Sequence, residues 1–404
     1  MSTRPQIQHA LDDEVASSGA LLTEIARSLF EQPEPGFGEF NATARLTGAL
    51  SAAGYAIEAP LADLPTAFRA SLGHGDPAIG IFLHYDAHPV NGHLAGNHLA
   101  AAASIVALRA LAAIADGLPG RIVAVGSPAS EPDALGAGGK EILLEAGALD
   151  DLQSALCLVA SNVHRPRLTS SPAGRLIELR FTGKASHASS APERGINALE
   201  AALGTFSLVN ALRQHLPIGS RIDGVIPNGG AAPNIVPERA VARFWLRAPG
   251  PVSLRRVGRR LLRSAEASAA AAGATVESDD RSRTYLNLID CPPIGDAVAG
   301  EWDRLAVGGA TGAWALPYPT DFGNVSQVIP SALLPFWVSD APPKSAKFAT
   351  DAAVATGPAL TGARLLATSV ATLLLEPEHI ATGAADLAAR QDRMRAFAAA
   401  AGEF

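Results

Sequence analysis

Cysteine is nearly missing from this chain: Cys157 and Cys291 are the two in 404 residues. Two isolated cysteines exclude a thiolate zinc site, and they point to a reducing cytosol rather than to a disulfide framework. Lysine is scarce as well. Lys140, Lys184, Lys344 and Lys347 are the four present, and the rest of the 32 basic residues are arginines. With the abundant alanine this matches a high-GC bacterial codon bias, and it makes a lysine in a candidate site noticeable. Excess positive charge is also lacking. The formal net charge of -7 leaves no basic patch for nucleic acid, and an acidic surface serves solubility. Met1 to Glu14 is polar, without the basic and apolar regions of a signal peptide. The longest apolar stretch, Leu99 to Ile114, is interrupted by Arg109 and falls short of the ~18 residues that span a bilayer. No membrane or nucleic-acid partner is therefore expected, and the expected location is cytoplasmic.

What is present reads as a folded enzyme-sized chain. A content of 48% hydrophobic and 18% charged residues argues against disorder, and the length suggests two domains. Helices are predicted over Thr23–Phe30 and over Asn41–Ala53, the second closed by Gly54. Ala78–His84 and Arg121–Val125 are short apolar runs of the buried-strand type, each followed by a helical pattern, Ala100–Ala115 and Leu135–Ala146. Strands alternating with helices predict an α/β fold, a mostly parallel sheet flanked by helices. The pattern then changes. Leu176–Phe181 and Ala240–Leu246 alternate with period two, while Asn197–His215 and Val252–Ala272 read as helices. This predicts an α+β domain over 173–287, inserted into an α/β domain made of 1–172 and 288–404. A long helical stretch closes the pattern from Asp351 to Leu375, with a kink expected at Gly357-Pro358.

Open α/β sheets bind ligands at the carboxyl ends of their strands. After the first buried strand comes His84-Tyr85-Asp86-Ala87-His88, then His93-Leu94-Ala95-Gly96-Asn97-His98. After the second come Ser130-Glu131 and Gly138-Gly139-Lys140. The inserted block carries Gly183-Lys184-Ala185-Ser186-His187, Asn234-Ile235-Val236-Pro237 and Arg247. Thr320-Asp321-Phe322-Gly323-Asn324 lies near the end. In this order the segments resemble the M20 family of metallopeptidases and amidohydrolases, most closely its amidohydrolase and dipeptidase branch, over roughly residues 20–375. The resemblance implies a zinc-peptidase-like fold, an inserted lid that mediates homodimerisation, and a small-molecule substrate.

The family pattern breaks at its metals. The cysteine and second histidine of the family's Gly-His-Ala-Cys-Gly-His-Asn segment match Ala95 and Asn97. The general base of its Ala-Glu-Glu segment matches Ser130, and only the ligand position survives, as Glu131. A further ligand histidine matches Asn162, with His164 close by, and the last matches Lys344. Zinc or manganese needs about four deprotonated N, O or S donors. Alanine offers none, and an ammonium at ~4 Å from a cation repels it by about 4 kcal/mol at an effective dielectric of 20. The expectation is a protein without a metal cofactor. The alternative is one zinc or manganese ion held by His84, His98 and Glu131.

By the same resemblance His187 matches the lid histidine that stabilises the oxyanion, and Asn234 and Arg247 match lid residues that bind substrate amide or carboxylate groups. Asp86 matches an orienting carboxylate. The expected catalytic set is Glu131, Lys344, His187, Asp86 and His84, with Asn234, Arg247, Asn97, Ser130, Asn162 and Asn324 around the substrate. Three functions follow as expectations. The first is an enzyme that works without metal by cyclisation, condensation, transfer or proton transfer on an amino-acid-derived amide or carbonyl. The second is an amidohydrolase or dipeptidase with a rebuilt mononuclear site, and the third is a ligand-binding protein without turnover.

Overall fold

The computed structural model describes residues 3–131, 138–164, 166–279, 283–305 and 312–401. The chain divides into two units. The first comprises Met1–Ser170, Leu288–Ala315 and Asn324–Phe404; the second comprises Ser171–Asn287 and Leu316–Gly323.

The first unit is built on a six-stranded sheet. Its strands run in the order Ala56–Glu58, Phe68–Gly73, Arg121–Gly126, Ala78–Leu83, Ser154–Ser161 and Ser331–Trp337. The last four are mutually parallel, and the first two pair antiparallel at one edge. The mostly parallel α/β architecture expected from the sequence is thus present. Ala78–Leu83 is buried at every position, as a central strand covered on both faces must be.

Two alanine-rich helices, Asn97–Ala113 and Thr356–Leu375, pack on each other in the core of this unit. Small side chains let their backbones come close. A Cβ on Gly362 would lie 2.9 Å from the Phe336 ring. Thr356–Leu375 is longer than the apolar stretch singled out in the sequence. By length and composition it could cross a bilayer, but 72% of its apolar window is buried within the protein.

Three boundaries differ from expectation for local reasons. A helix at Arg4–Ser17 precedes the predicted first one, because Ile7, Leu11 and Val15 place one apolar contact per turn on an otherwise polar segment. The terminal helical stretch breaks at Ala353–Ala355 rather than at Gly357-Pro358. Pro358 lies in the first turn of the next helix, where an N–H has no intrahelical partner to lose. Gly139–Glu145 forms part of the helix expected from Leu135; residues 132–137 lie outside the described residues.

The second unit is an antiparallel sheet in the order Thr275–Asp279, Ala173–Thr182, Arg239–Ala248, Arg221–Asn228. Helices Ala198–Leu212 and Pro251–Ala272 close its core. Ala240, Ala242, Phe244, Leu246 and Ala248 are the buried alternates of one strand, the period-two signature seen in the sequence. Asn197 starts the first helix by accepting the N–H groups of Leu199 and Glu200.

Candidate active site

Three of the parallel strands end together in loops that carry the candidate residues. Ala78–Leu83 leads into His84, Tyr85 and Asp86; Arg121–Gly126 leads into Ser127–Glu131; Ser154–Ser161 leads into Asn162. Ser331–Trp337 continues to Lys344.

Asp86 is fully buried. Its Oδ2 accepts the Glu131 N–H at 2.7 Å, and its Oδ1 has no partner among the described residues. Burial first, and then the Glu131 carboxylate, push the Asp86 pKa up to about 8. Asn97 donates its side-chain amide to the Asp86 carbonyl at 3.0 Å. Asp86 therefore has its backbone and one carboxylate oxygen both engaged.

Glu131 accepts from the Lys344 ammonium at 2.6 Å, with Glu131 mostly covered and Lys344 partly open. The two residues are 213 positions apart in sequence. Lys344 has φ +66, unusual for a residue with a Cβ, and its N–H bonds the Leu94 carbonyl at 3.2 Å. The backbone thus bends out of its preferred region at the residue that delivers the cation, a cost of roughly 1–3 kcal/mol that surrounding contacts must hold.

One residue before Ser130 the chain does the same. Ala129 has φ +52. Its N–H bonds the buried Glu39 carboxylate at 2.8 Å, and its carbonyl accepts from Gly138 at 2.8 Å. Gly36 lies against it so closely that a Cβ there would come within 2.8 Å of the Ala129 Cβ. Beyond this turn, Ser130 Oγ accepts a hydrogen bond from Lys140 Nζ at 2.7 Å. Lys140 is 1% exposed, whereas Ser130 is partly accessible. Sequence reasoning named Ser130 but missed Lys140 as its partner; a scarce lysine just after a strand-end loop was the available signal.

The histidines are dispersed by the fold. His84 Nδ1 lies 3.4 Å from the Cys157 thiol, and burial, then the nearby Lys140 charge, lower its pKa to about 3. His93 bonds the Leu29 carbonyl at 3.0 Å. His98 is buried between the Phe30 and His93 rings, with Nε2 at 3.4 Å from the Ala352 carbonyl. Burial lowers the pKa of both, to about 4 for His93 and about 3 for His98. His88 accepts the N–H groups of Val90 and Asn91, a loop-capping role. His164 stacks on Trp337, centroids 4.7 Å apart, next to the part-exposed Asn162. Asn324 is buried on the short helix Phe322–Ser326.

In the second unit His187 and Asn234 are surface residues and Arg247 is half-buried. His187 is exposed, and its Nδ1 accepts the N–H groups of Ser189 at 3.2 Å and Ser190 at 3.3 Å, which leaves Nε2 pointing away from that turn. Asn234 is exposed, and its carbonyl accepts from Ala188 at 3.0 Å. Arg247 pairs with Asp223 on the adjacent strand.

Comparison with known proteins gives these arrangements a context. The family profile described as a peptidase dimerisation domain matches residues 175–271. The mouse Xaa-Arg dipeptidase is 32% identical over 327 residues, covering 76% of this chain and 74% of that protein. A p-aminobenzoyl-glutamate hydrolase chain of Escherichia coli is 29% identical, covering 70% of this chain and 62% of the other. Among solved structures, a dinuclear metal binding peptidase from the M20 family of Bacillus subtilis superposes with a TM-score of 0.64 at 20% identity, covering 89% of this chain and 99% of the other.

The comparison corrects the expectation that no cofactor is involved: the Bacillus subtilis protein that shares this fold is a dinuclear metal binding peptidase. Ala95 has no donor, the Asn97 amide is engaged by Asp86, and the Glu131 carboxylate is held by the Lys344 ammonium. Among the described residues no three histidine, cysteine, aspartate or glutamate side chains are grouped to hold an ion. His84 and His98 instead bond Cys157 and the Ala352 carbonyl.

Proposed function

The chain belongs to the M20 family of amidohydrolases and dipeptidases, and from that premise we propose that it is an enzyme acting on a small amino-acid-derived amide or carbonyl, with Glu131 and Lys344 as its proton-transfer pair. The observation that carries this reading is the 2.6 Å bond between Lys344 Nζ and Glu131 Oε2. A carboxylate and an ammonium in contact at the ends of parallel strands, half covered from water, can pass a proton to and from a bound carbonyl or amine. Lys344 also presents a fixed positive charge to any oxygen that becomes anionic during the reaction. Asp86 accepts the Glu131 backbone N–H and so fixes the main chain at the residue that carries the carboxylate. Relatives named as a dipeptidase and a p-aminobenzoyl-glutamate hydrolase support an amide as the bond at issue. Cleavage, condensation and acyl transfer are the same chemistry run between different partners. His187, Asn234 and Arg247 are proposed to handle the carbonyl, amide and carboxylate of the substrate, and Asn97, Ser130, Asn162 and Asn324 to line its place.

The test is a panel of dipeptides ending in arginine, N-acyl amino acids and p-aminobenzoyl-glutamate, run in the cleavage and condensation directions and read by mass spectrometry. Glu131→Gln and Lys344→Ala should each lower kcat/KM by about a hundredfold or more on whichever amide turns over. Wild-type turnover in both variants would remove the pair from the mechanism.

A cytoplasmic homodimer is part of the same proposal. It is supported by the match of residues 175–271 to a peptidase dimerisation domain. Arg221–Asn228 lies at the edge of its sheet with Val225 exposed, and Leu203 and Leu208 are exposed on Ala198–Leu212. An edge strand presents backbone N–H and C=O groups that a second copy can pair. Light scattering should return twice the 41.4 kDa chain mass, and a monomer mass at micromolar concentration would end this part of the proposal.

A further inference from the structure

A cavity opens at the start of Ser331–Trp337, the end of that strand away from Lys344, and its wall belongs wholly to the first unit. Its empty volume, open mouth included, is about 430 Å³. The lining is mainly apolar, with Leu168, Leu288, Val298 and Leu333 among its residues. Two buried polar side chains interrupt it. Trp302 and Ser331 are each 3% exposed, and neither Trp302 Nε1 nor Ser331 Oγ has a hydrogen-bond partner among the described residues. Buried polar atoms are nearly always paired, by the protein or by something bound to it. An indole N–H can only donate and a hydroxyl can do either, so the missing partner is an acceptor. Arg167 and Asp290 line the same cavity, and their charges are already balanced. Arg167 pairs with Asp296 at 2.7 Å and with Asp290 at 3.3 Å. An anionic occupant would meet Asp290, and a cationic one Arg167. The wall also includes two of the passages of the chain between the units. Arg167 and Leu168 come just before Ser171, and Leu288, Ile289 and Asp290 directly follow Asn287. These two passages meet in the antiparallel bridge between Ser170 and Ile289.

We propose that this cavity is a second ligand site, for a small uncharged molecule with an apolar body and a carbonyl-type oxygen as the acceptor that Trp302 and Ser331 lack. Its occupant rests against two connections to the second unit and braces them. It takes no part in the chemistry at Glu131 and Lys344, which makes it an effector rather than a substrate. The site does not depend on the reaction proposed above.

The experiment follows the indole N–H signals of the four tryptophans by NMR in the nitrogen-labelled full chain, as benzamide or isovaleramide is added. Trp302→Phe assigns the Trp302 signal. That signal should move downfield and saturate with either amide. Ser331→Ala should weaken binding by about fivefold, the loss of one hydrogen bond. Ala299→Leu, which adds bulk at a part-exposed position of the lining, should abolish it. Benzoate, the same shape with a charge, should not bind. Amides of residues 167–170 and 288–290 should exchange with deuterium more slowly when benzamide is bound. No saturable shift at the solubility limit of either amide would mean that bound water alone satisfies Trp302 and Ser331, and would overturn the proposal. A shift confined to Trp337, at the other end of the strand, would report the candidate active site instead and overturn it too. So would a Trp302 shift that survives Ala299→Leu, binding of benzoate as tight as that of benzamide, or unchanged exchange at the two passages. None of these readouts needs turnover, so this site and the Glu131–Lys344 reading can each fail alone.

Discussion

The two units present their candidate residues in opposite ways. In the first, Asp86, Glu131 and Lys344 come from segments far apart in the chain and are joined by hydrogen bonds of 2.7 and 2.6 Å, while the neighbouring Ser130 is bonded to Lys140 at 2.7 Å. In the second, His187 and Asn234 are surface side chains and Arg247 is half-buried, and the bonds found for His187 and Arg247 run to their own turn or to the next strand. Side chains in a buried, shared network cannot be exchanged one at a time, because each loss leaves a neighbour unpaired in a low-dielectric place. Lys344 engages the carboxylate of Glu131, and Lys140 engages the Ser130 hydroxyl.

That contrast is sharpest for Asp86→Asn. The Asp86 pKa is raised, so the folded protein holds a proton there that the unfolded chain releases. Stability from this group is full below about pH 4 and is lost as pH rises toward about 8. The variant should abolish that loss and be more stable than wild type at pH 7, by on the order of a few kcal/mol. His84, His93 and His98 work in the other direction. Burial lowers their pKa values, so they lose stability as pH falls below the ordinary histidine range. Urea midpoints at pH 5, 7 and 8 check the prediction; equal midpoints for variant and wild type at pH 8 would contradict it. The smallest effect is expected from Arg247→Ala. Its ion pair with the largely exposed Asp223 should contribute less than about 1 kcal/mol to stability. Its loss should appear instead as a higher KM with kcat little changed. A kcat loss as large as that of Lys344→Ala would erase the distinction between the units.

Much of the fold was legible in the sequence because each unit announces its period. Ala78–Leu83 is apolar at every position, and Arg239–Ala248 alternates, which separates a strand covered on both faces from one covered on a single face. The missed helix at Arg4–Ser17 hides its three core contacts, Ile7, Leu11 and Val15, among polar residues. The site was legible where residue types alone carry it: Glu131 and Lys344 stand out as a carboxylate and a misplaced cation, and the structure brings them into contact. Four histidines within fifteen positions have the density of a ligand set, and only the packing shows where each side chain goes. The packing sends His93 and His98 into an apolar core beside Phe30 and turns His88 back onto its own loop. Lys140 escaped notice for the converse reason. Its importance lies in a bond to a residue ten positions earlier, across a turn whose shape depends on the left-handed Ala129.

The hydrogen bond from the Ala129 N–H to the buried Glu39 carboxylate also places a clock inside the active-site turn. Loop amides ordinarily exchange with solvent deuterium quickly, but this one is held by an acceptor with no exposed surface, in contact with Thr66 on its other oxygen. It should exchange on the timescale of the sheet rather than of the loops. A single amide signal would then report, without substrate or assay, whether the turn that presents Ser130 is intact in any variant of the protein.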